Sequence, residues 1–231
     1  MSNHEVRSMP EDNGYQGLRG LDLKQVPWVT LLLILINVGV FIYVESTGSS
    51  ENTDFMLQMG ASYEPLIVDG HEYYRLITHF FLHFGWDHLI NNMISLLVLG
   101  YATELVLGRV RFISLYFLAG IGAGAASVWY NLSAGEPSVS CGASGAIFGL
   151  SGALLILVIR GNRERRKREG GFGGTEVIRY LIYMALSLYS GFTDPSIDHM
   201  AHLGGFLCGV ILCLLMTLGK KKMGVSYGGR S

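Results

Sequence analysis

A serine flanked by glycines stands at the head of a long apolar stretch. Ser144 lies between Gly142 and Gly145, and mostly apolar residues follow as far as Ile159. A serine becomes a nucleophile when a base removes its proton, and a helix N-terminus favours developing negative charge. Small residues in a membrane helix also serve helix packing. Taken alone, the stretch favours packing, but Gly145 and Gly149 could pack while Ser144 reacts.

Polar residues in two other apolar segments could complete a site with Ser144. His88 and Asn92 are four residues apart and share a helical face. His202 begins the last apolar segment, near the depth expected for Ser144, and histidine is the usual base for a serine. Because Glu104 lies toward the other end of its segment, the pattern favours a Ser–His pair over a triad oriented by an acidic residue. A structural hydrogen bond is the alternative for each residue taken singly.

Metal binding is a competing interpretation of the histidines. His79 and His83 are four apart, and His199 and His202 are three apart, which are spacings that metal ligands use. Carboxylates do not accompany them within the apolar segments. The stretch beginning at His71 starts like a zinc-protease motif, but Arg75 stands where the second histidine is required. We therefore expect no metal and no other cofactor.

The composition indicates a membrane protein. Only 15% of the residues are charged, against about 25% in soluble domains, and the charges lie between long apolar runs. The formal net charge of −1 gives no reason to expect nucleic acid as a partner. The three cysteines do not make a disulfide framework, and the polar first 25 residues do not resemble a signal peptide.

Six membrane spans are predicted. They cover about 26–45, 86–106, 112–131, 144–160, 177–192 and 200–219. The predicted fold is therefore an all-α polytopic membrane protein, with polar tails at 1–25 and 220–231 around a core at 26–219.

The lysines and arginines predict the orientation of these spans. All except Arg75 fall on one side of the membrane under this span count. They lie on the tails, on alternate connecting segments such as the strongly basic one after the fourth span, or, for Arg179, just inside the next span. Because such residues accumulate on the cytoplasmic side, we expect both termini to be cytoplasmic and the protein to lie in the cell membrane. The long first loop, 46–84, is rich in aromatic residues and is expected to lie partly in the outer leaflet.

The length of the fourth span predicts the depth of Ser144. From Ser144 to Arg160 a helix covers roughly 24 Å, whereas the hydrocarbon core is about 30 Å thick. If Arg160 marks the cytoplasmic boundary, Ser144 lies below the outer surface. The preceding loop must then dip into the membrane, where irregular backbone is tolerated only beside protein or water. A water-filled pocket over Ser144 is therefore expected.

Taken together, these residues resemble the rhomboid family of intramembrane serine proteases over about residues 26–219. The matching motifs are individually short and jointly specific. They are Gly142-Ala143-Ser144-Gly145, then His83, His88 and Asn92 in the second span, and Ala201-His202-Leu203-Gly204-Gly205 in the last.

The resemblance implies a six-helix bundle and a role for each matching residue. Ser144 would be the nucleophile and His202 the general base. Asn92, His88 and the backbone at Ser144 and Gly142 would form the oxyanion site. In the same way, Phe148 would pack on the base histidine, and His83 would belong to the hydrogen-bonding surround.

The implied reaction is hydrolysis of peptide bonds in or near transmembrane segments of membrane proteins. Its partners would be those segments and the membrane lipids. Glu104 matches a family glutamate, while His199 replaces a frequent asparagine and Val106 a common arginine. The alternative from another class is a non-catalytic membrane scaffold that binds transmembrane helices, with a transporter less favoured.

Overall fold

The computed structural model describes residues 26–169 and 198–218. Apart from one isolated β-bridge, the regular structure in these residues is helical, and five of the helices are long and apolar enough to cross a membrane. In chain order the helices are α1 (Trp28–Thr47), α2 (Thr53–Met59), α3 (Glu64–Val68), α4 (Arg75–Thr78) with a 3-10 turn (His79–Phe81), α5 (Gly85–Leu107), α6 (Arg109–Ala134), α7 (Ser144–Glu169) and α8 (His199–Thr217).

The predicted all-α polytopic fold is confirmed, and each long helix corresponds to one predicted span. The predicted fifth span, 177–192, lies outside the described residues. The predicted fourth span, 144–160, agrees with the apolar part of α7, although the helix itself continues beyond Arg160. Its apolar part ends at Gly161, and the helix continues to Glu169 through arginine, lysine and glutamate, which are good helix formers.

The outer surfaces of the long helices are apolar. Large side chains that a soluble protein would bury are exposed here, with Val110 at 78%, Trp129 at 71% and Leu35 at 68%. A helix that is apolar on its outer face is suited to lipid rather than to water. The chain is therefore a multi-pass membrane protein.

Close backbone contact joins α7 to α8. A Cβ atom added to Gly205 would overlap the carbonyl oxygen of Gly145, and one added to Gly209 would overlap that of Gly149. Because both pairs have the same sequence separation, the two helices run parallel in one register. Ala119 of α6 packs against Gly149, so α6 contacts α7 at the same level as α8 does. The predicted packing role of the glycines is thus seen in the structure.

A buried carboxylate caps the first helix. Glu104 of α5 accepts the backbone N–H groups of Val29 at 3.1 Å and Thr30 at 2.8 Å, and also the Thr30 hydroxyl at 2.8 Å. The first N–H groups of a helix have no partner within the helix, and leaving them unpaired in an apolar medium is costly. Glu104 therefore sets how α1 lies against α5.

Arg75 organises the first loop from inside. Its side chain is 5% exposed and donates to the carbonyl oxygens of Leu57 at 2.7 Å and Ala61 at 2.8 Å, and its Nε donates to Glu72 at 2.7 Å. Hydrogen bonds from Tyr74 and then Arg75 lower the pKa of Glu72 and keep it ionised. This explains how the one basic residue outside the charge pattern is accommodated.

Replacing Gly209 by Ala is expected to separate α7 from α8. The new methyl group would overlap the Gly149 carbonyl, which belongs to the backbone and cannot rotate away. We expect a loss of about 1–3 kcal/mol in the free energy of unfolding, measured in detergent. Gly39→Ala is the matched control, because nothing lies within 4 Å of its added Cβ. An equal loss in both variants would contradict the contact.

Candidate active site

The first turns of α7 and α8 bring a serine and a histidine together. Ser144 is the first residue of α7, and His202 lies in the first turn of α8. The distance between Ser144 Oγ and His202 Nε2 is 2.9 Å, which is a hydrogen bond. Ser144 is half-buried and His202 is 9% exposed. The parallel register of the two helices produces this pairing, although the residues are 58 positions apart.

Phe148 covers the imidazole of His202. The two rings are stacked, with centroids 4.2 Å apart and planes at 22°. Because Phe148 is one turn after Ser144 on α7, the same helix face supplies both the hydroxyl and the ring. The aromatic residue therefore limits rotation of the histidine about its side-chain bonds.

A second hydrogen-bonded pair connects α7 and α8 at the other end of their apolar lengths. Arg160 of α7 donates to the carbonyl oxygen of Thr217 at 3.1 Å and also to its hydroxyl, and these residues are 57 positions apart. The hydrogen-bonded pairs Ser144–His202 and Arg160–Thr217 have nearly equal sequence separations, of 58 and 57 positions. The register thus holds over the apolar length of α7, roughly 24 Å. The depth of Ser144 and its water pocket stay predictions.

The loop before Ser144 is fixed by the first loop. Ser140 and Ser62 exchange two backbone hydrogen bonds, of 2.9 and 3.0 Å. The carboxylate of Glu64 is 1% exposed and accepts from the Ser138 backbone at 2.9 Å and the Asn131 side chain at 2.7 Å. The N-terminal end of α7 is therefore positioned by residues far away in sequence.

Two histidines of the first loop hold the residues that directly precede Ser144. The N–H of Gly142 donates to the carbonyl oxygen of His79 at 2.9 Å, and the N–H of Ala143 donates to Nε2 of His83 at 3.4 Å. Because Nε2 of His83 accepts, its hydrogen lies on Nδ1. Burial lowers the pKa of His83 to about 3 and keeps it neutral at neutral pH.

Gly142 gives the site room for a histidine. Its φ is +128°, which side chains rarely adopt, and an added Cβ would lie 2.7 Å from the ring of His88. That ring also meets His83 edge to face, with centroids 5.2 Å apart. The Gly142 N–H is bonded to the His79 carbonyl in this structure, and the backbone contribution of Gly142 to an oxyanion site stays a prediction.

Asn92 lies one turn from His88 on α5. It is 6% exposed, and its side-chain nitrogen donates to the His88 carbonyl at 2.9 Å. The amide nitrogen carries a second hydrogen that this bond does not use. Asn92 and His88 thus share one face of α5, and the His88 ring lies beside Gly142.

The histidine pairs do not form a metal centre. In residues 26–169 and 198–218, no group of three His, Cys, Asp or Glu side chains is arranged to hold a metal ion. His79 is 4% exposed, and burial lowers its pKa to about 4, opposed by the charge of Asp198. His79 therefore serves the fold as a neutral side chain whose carbonyl receives the Gly142 N–H.

Comparison with known proteins identifies the family. Residues 70–219 match the model of the Rhomboid domain, which covers more than half of the chain. The chain belongs to the rhomboid family. This confirms the resemblance that the sequence motifs indicated.

Named relatives come from bacteria and plants. The chain is 36% identical over 194 residues to Rhomboid protease GluP of Bacillus subtilis, which covers 84% of the chain and 36% of GluP. It is 26% identical over 220 residues to Rhomboid protease AarA of Providencia stuartii, covering 86% of the chain and 75% of AarA. It is 27% identical over 228 residues to RHOMBOID-like protein 6, mitochondrial, of Arabidopsis thaliana, covering 85% and 71%.

Sequence reasoning missed three charged residues that organise the site. Glu64 and Arg75 are buried in the first loop, where their hydrogen bonds depend on loop paths that no local pattern reveals. Asp198 is different, because it caps α8 by accepting the Ala201 N–H at 2.8 Å. Aspartate directly before a helix is a known capping signal, so this residue could have been found from the sequence.

Replacing Gly142 by Ala should disturb the site more than the fold. The methyl group would meet the His88 ring and strain the backbone, at a cost of about 1–3 kcal/mol. We expect slower labelling of Ser144 by a fluorophosphonate. Gly135→Ala is the control, because Gly135 also has positive φ, at 71°, but has nothing within 4 Å of an added Cβ. Equal labelling of the two variants would show that contact with His88 is unimportant.

Proposed function

We propose that this protein is an intramembrane serine endopeptidase that cleaves peptide bonds in or near transmembrane segments of other membrane proteins. The observation that carries the proposal is the 2.9 Å hydrogen bond between Ser144 and His202. Membership of the rhomboid family and similarity to two named rhomboid proteases support it. The chain spans only 36% of GluP, so activity and substrates are assigned from the site of this chain.

In the proposed reaction, Ser144 and His202 act as a dyad. His202 Nε2 takes the hydroxyl proton as Ser144 Oγ attacks the scissile carbonyl carbon. The imidazolium then gives that proton to the leaving amine, and an acyl-enzyme forms. Water, with His202 again as base, releases the new carboxyl group and restores the serine.

Negative charge on the carbonyl oxygen would be met by hydrogen-bond donors around the start of α7. We assign this role to the side chains of Asn92 and His88 and to the Ser144 backbone N–H, which has no acceptor within its helix. Phe148 holds the base in place, and His83 holds the Ala143 backbone. Gly142 keeps space open beside His88.

We assign residues 26–219 to the protease domain, with tails at 1–25 and 220–231. Substrates are expected to carry small or helix-destabilising residues, because the scissile carbonyl of a helix must leave its own hydrogen bond before Ser144 can attack it. The partners in this reaction are the transmembrane segments and the surrounding lipids, and no cofactor takes part.

Removing either member of the dyad should abolish cleavage. Reconstituted wild-type protein, Ser144→Ala and His202→Ala would be incubated with a tagged transmembrane reporter and, separately, with a fluorophosphonate. We expect both variants to lose roughly 1,000-fold or more in reporter cleavage, because the two groups act as a unit. Labelling should vanish in Ser144→Ala.

Matched controls come from residues away from the site. Ser133→Ala removes an exposed serine that donates only to its own helix, and His71→Asn replaces an exposed histidine whose φ of 57° asparagine tolerates. Both should cleave like wild type. Equal cleavage by wild type and the dyad variants would refute the dyad, and a folded wild type that neither labels nor cleaves would favour a scaffold.

Both termini are proposed to face the cytoplasm of a cell-membrane protein, which the distribution of basic residues supports. A reporter fused after Ser231 should therefore be active on the cytoplasmic side. An external reading, or import of the chain into mitochondria, would overturn this assignment.

A further inference from the structure

Asp198 connects the first turn of α8 to α6. Its Oδ1 accepts the N–H of Ala201 at 2.8 Å, and its Oδ2 accepts the hydroxyl of Ser127 at 2.5 Å. Its own carbonyl oxygen accepts the N–H of His202 at 3.2 Å. One residue thus fixes the helical turn from which the His202 imidazole projects.

The partner of Asp198 on α6 is buried. Ser127 is 2% exposed and Asp198 is half-buried, so the hydrogen bond between them is partly shielded from water. Hydrogen bonds to ionised groups are stronger than neutral ones. The bond from Ser127 therefore fixes both the start of α8 and the location of the negative charge.

That location matters for the charge that forms during the proposed reaction. His202 lies at the N-terminal end of α8, where the helix dipole is positive and opposes a positively charged imidazolium. Its histidine neighbours, His88 and His199, bring no negative charge. The Asp198 carboxylate, at the same helix end, offsets the dipole.

We propose that Asp198 is a positioning residue for His202, which it holds through the first turn of α8 and supports with a negative charge fixed by Ser127. The hydrogen bonds of Asp198 go to Ser127 and to the first turn of α8, so we place its effect on the reaction at His202. This inference rests on the proposed function.

Replacing Asp198 by Asn removes the negative charge and keeps a side chain that can cap α8. Asparagine caps a helix about as well as aspartate, and its side chain can still pair with both Ala201 and Ser127. If Asp198 only caps α8, Asp198→Asn will behave as wild type. If its charge supports His202, the chemical step will slow while the fold is kept.

The experiment measures reporter cleavage, fluorophosphonate labelling and the thermal midpoint for Asp198→Asn and Ser127→Ala. We expect kcat and the labelling rate to fall at least tenfold in Asp198→Asn and severalfold in Ser127→Ala, with KM within twofold of wild type and the midpoint of Asp198→Asn unchanged. Asp54→Asn removes an exposed carboxylate from the first turn of α2, and Ser133→Ala removes an exposed α6 serine. Both controls should match wild type.

Wild-type kcat in either Asp198→Asn or Ser127→Ala would overturn the inference. So would a parallel loss of thermal midpoint and activity in Asp198→Asn, which would make Asp198 purely structural. Ser144→Ala and His202→Ala are run in the same assay. If they cleave like wild type, the proposed function fails, whereas inactive dyad variants with a fully active Asp198→Asn refute only this inference.

Discussion

The contact between the backbones of α7 and α8 is the constraint on which the site depends. Gly205 and Gly209 pack so closely against the carbonyl oxygens of Gly145 and Gly149 that neither position has room for a Cβ atom. A hydrogen bond of 2.9 Å between residues 58 positions apart needs such a fixed register. The close packing of the glycines brings Ser144 within hydrogen-bond distance of His202, so one sequence motif serves both the helix contact and this pairing.

The position of the Ser144 hydroxyl also depends on residues outside α7 and α8. Ser144 is the first residue of its helix, so the path of the preceding loop decides where its hydroxyl points. That loop is held by a β-bridge to Ser62, by the Glu64 carboxylate and by two histidines of the first loop. Arg75 in turn folds the first loop around itself. A chain of buried polar contacts thus runs from the first loop to Ser144.

The sequence predicts the helices well, because apolar length and charge segregation are local properties that lipid enforces. It also identifies Ser144, His88, Asn92 and His202 as candidate site residues, since polar residues in apolar segments are rare. It does not predict that α7 passes Arg160 as a helix, because a change from apolar to basic residues marks the end of a span and not of a helix. Nor does it reveal Glu64, whose partners, Asn131 and Ser138, are distant in sequence.

The cap that Glu104 provides for α1 bears on how the chain is made. Glu104 lies 75 positions after Val29, so the first helix is synthesised before its cap exists. At ordinary translation rates the delay is roughly 4–15 s. During that interval the N–H groups of Val29 and Thr30 must find other partners. Synthesis of α5 then supplies the cap, so the N-terminus of the first helix is completed in two stages.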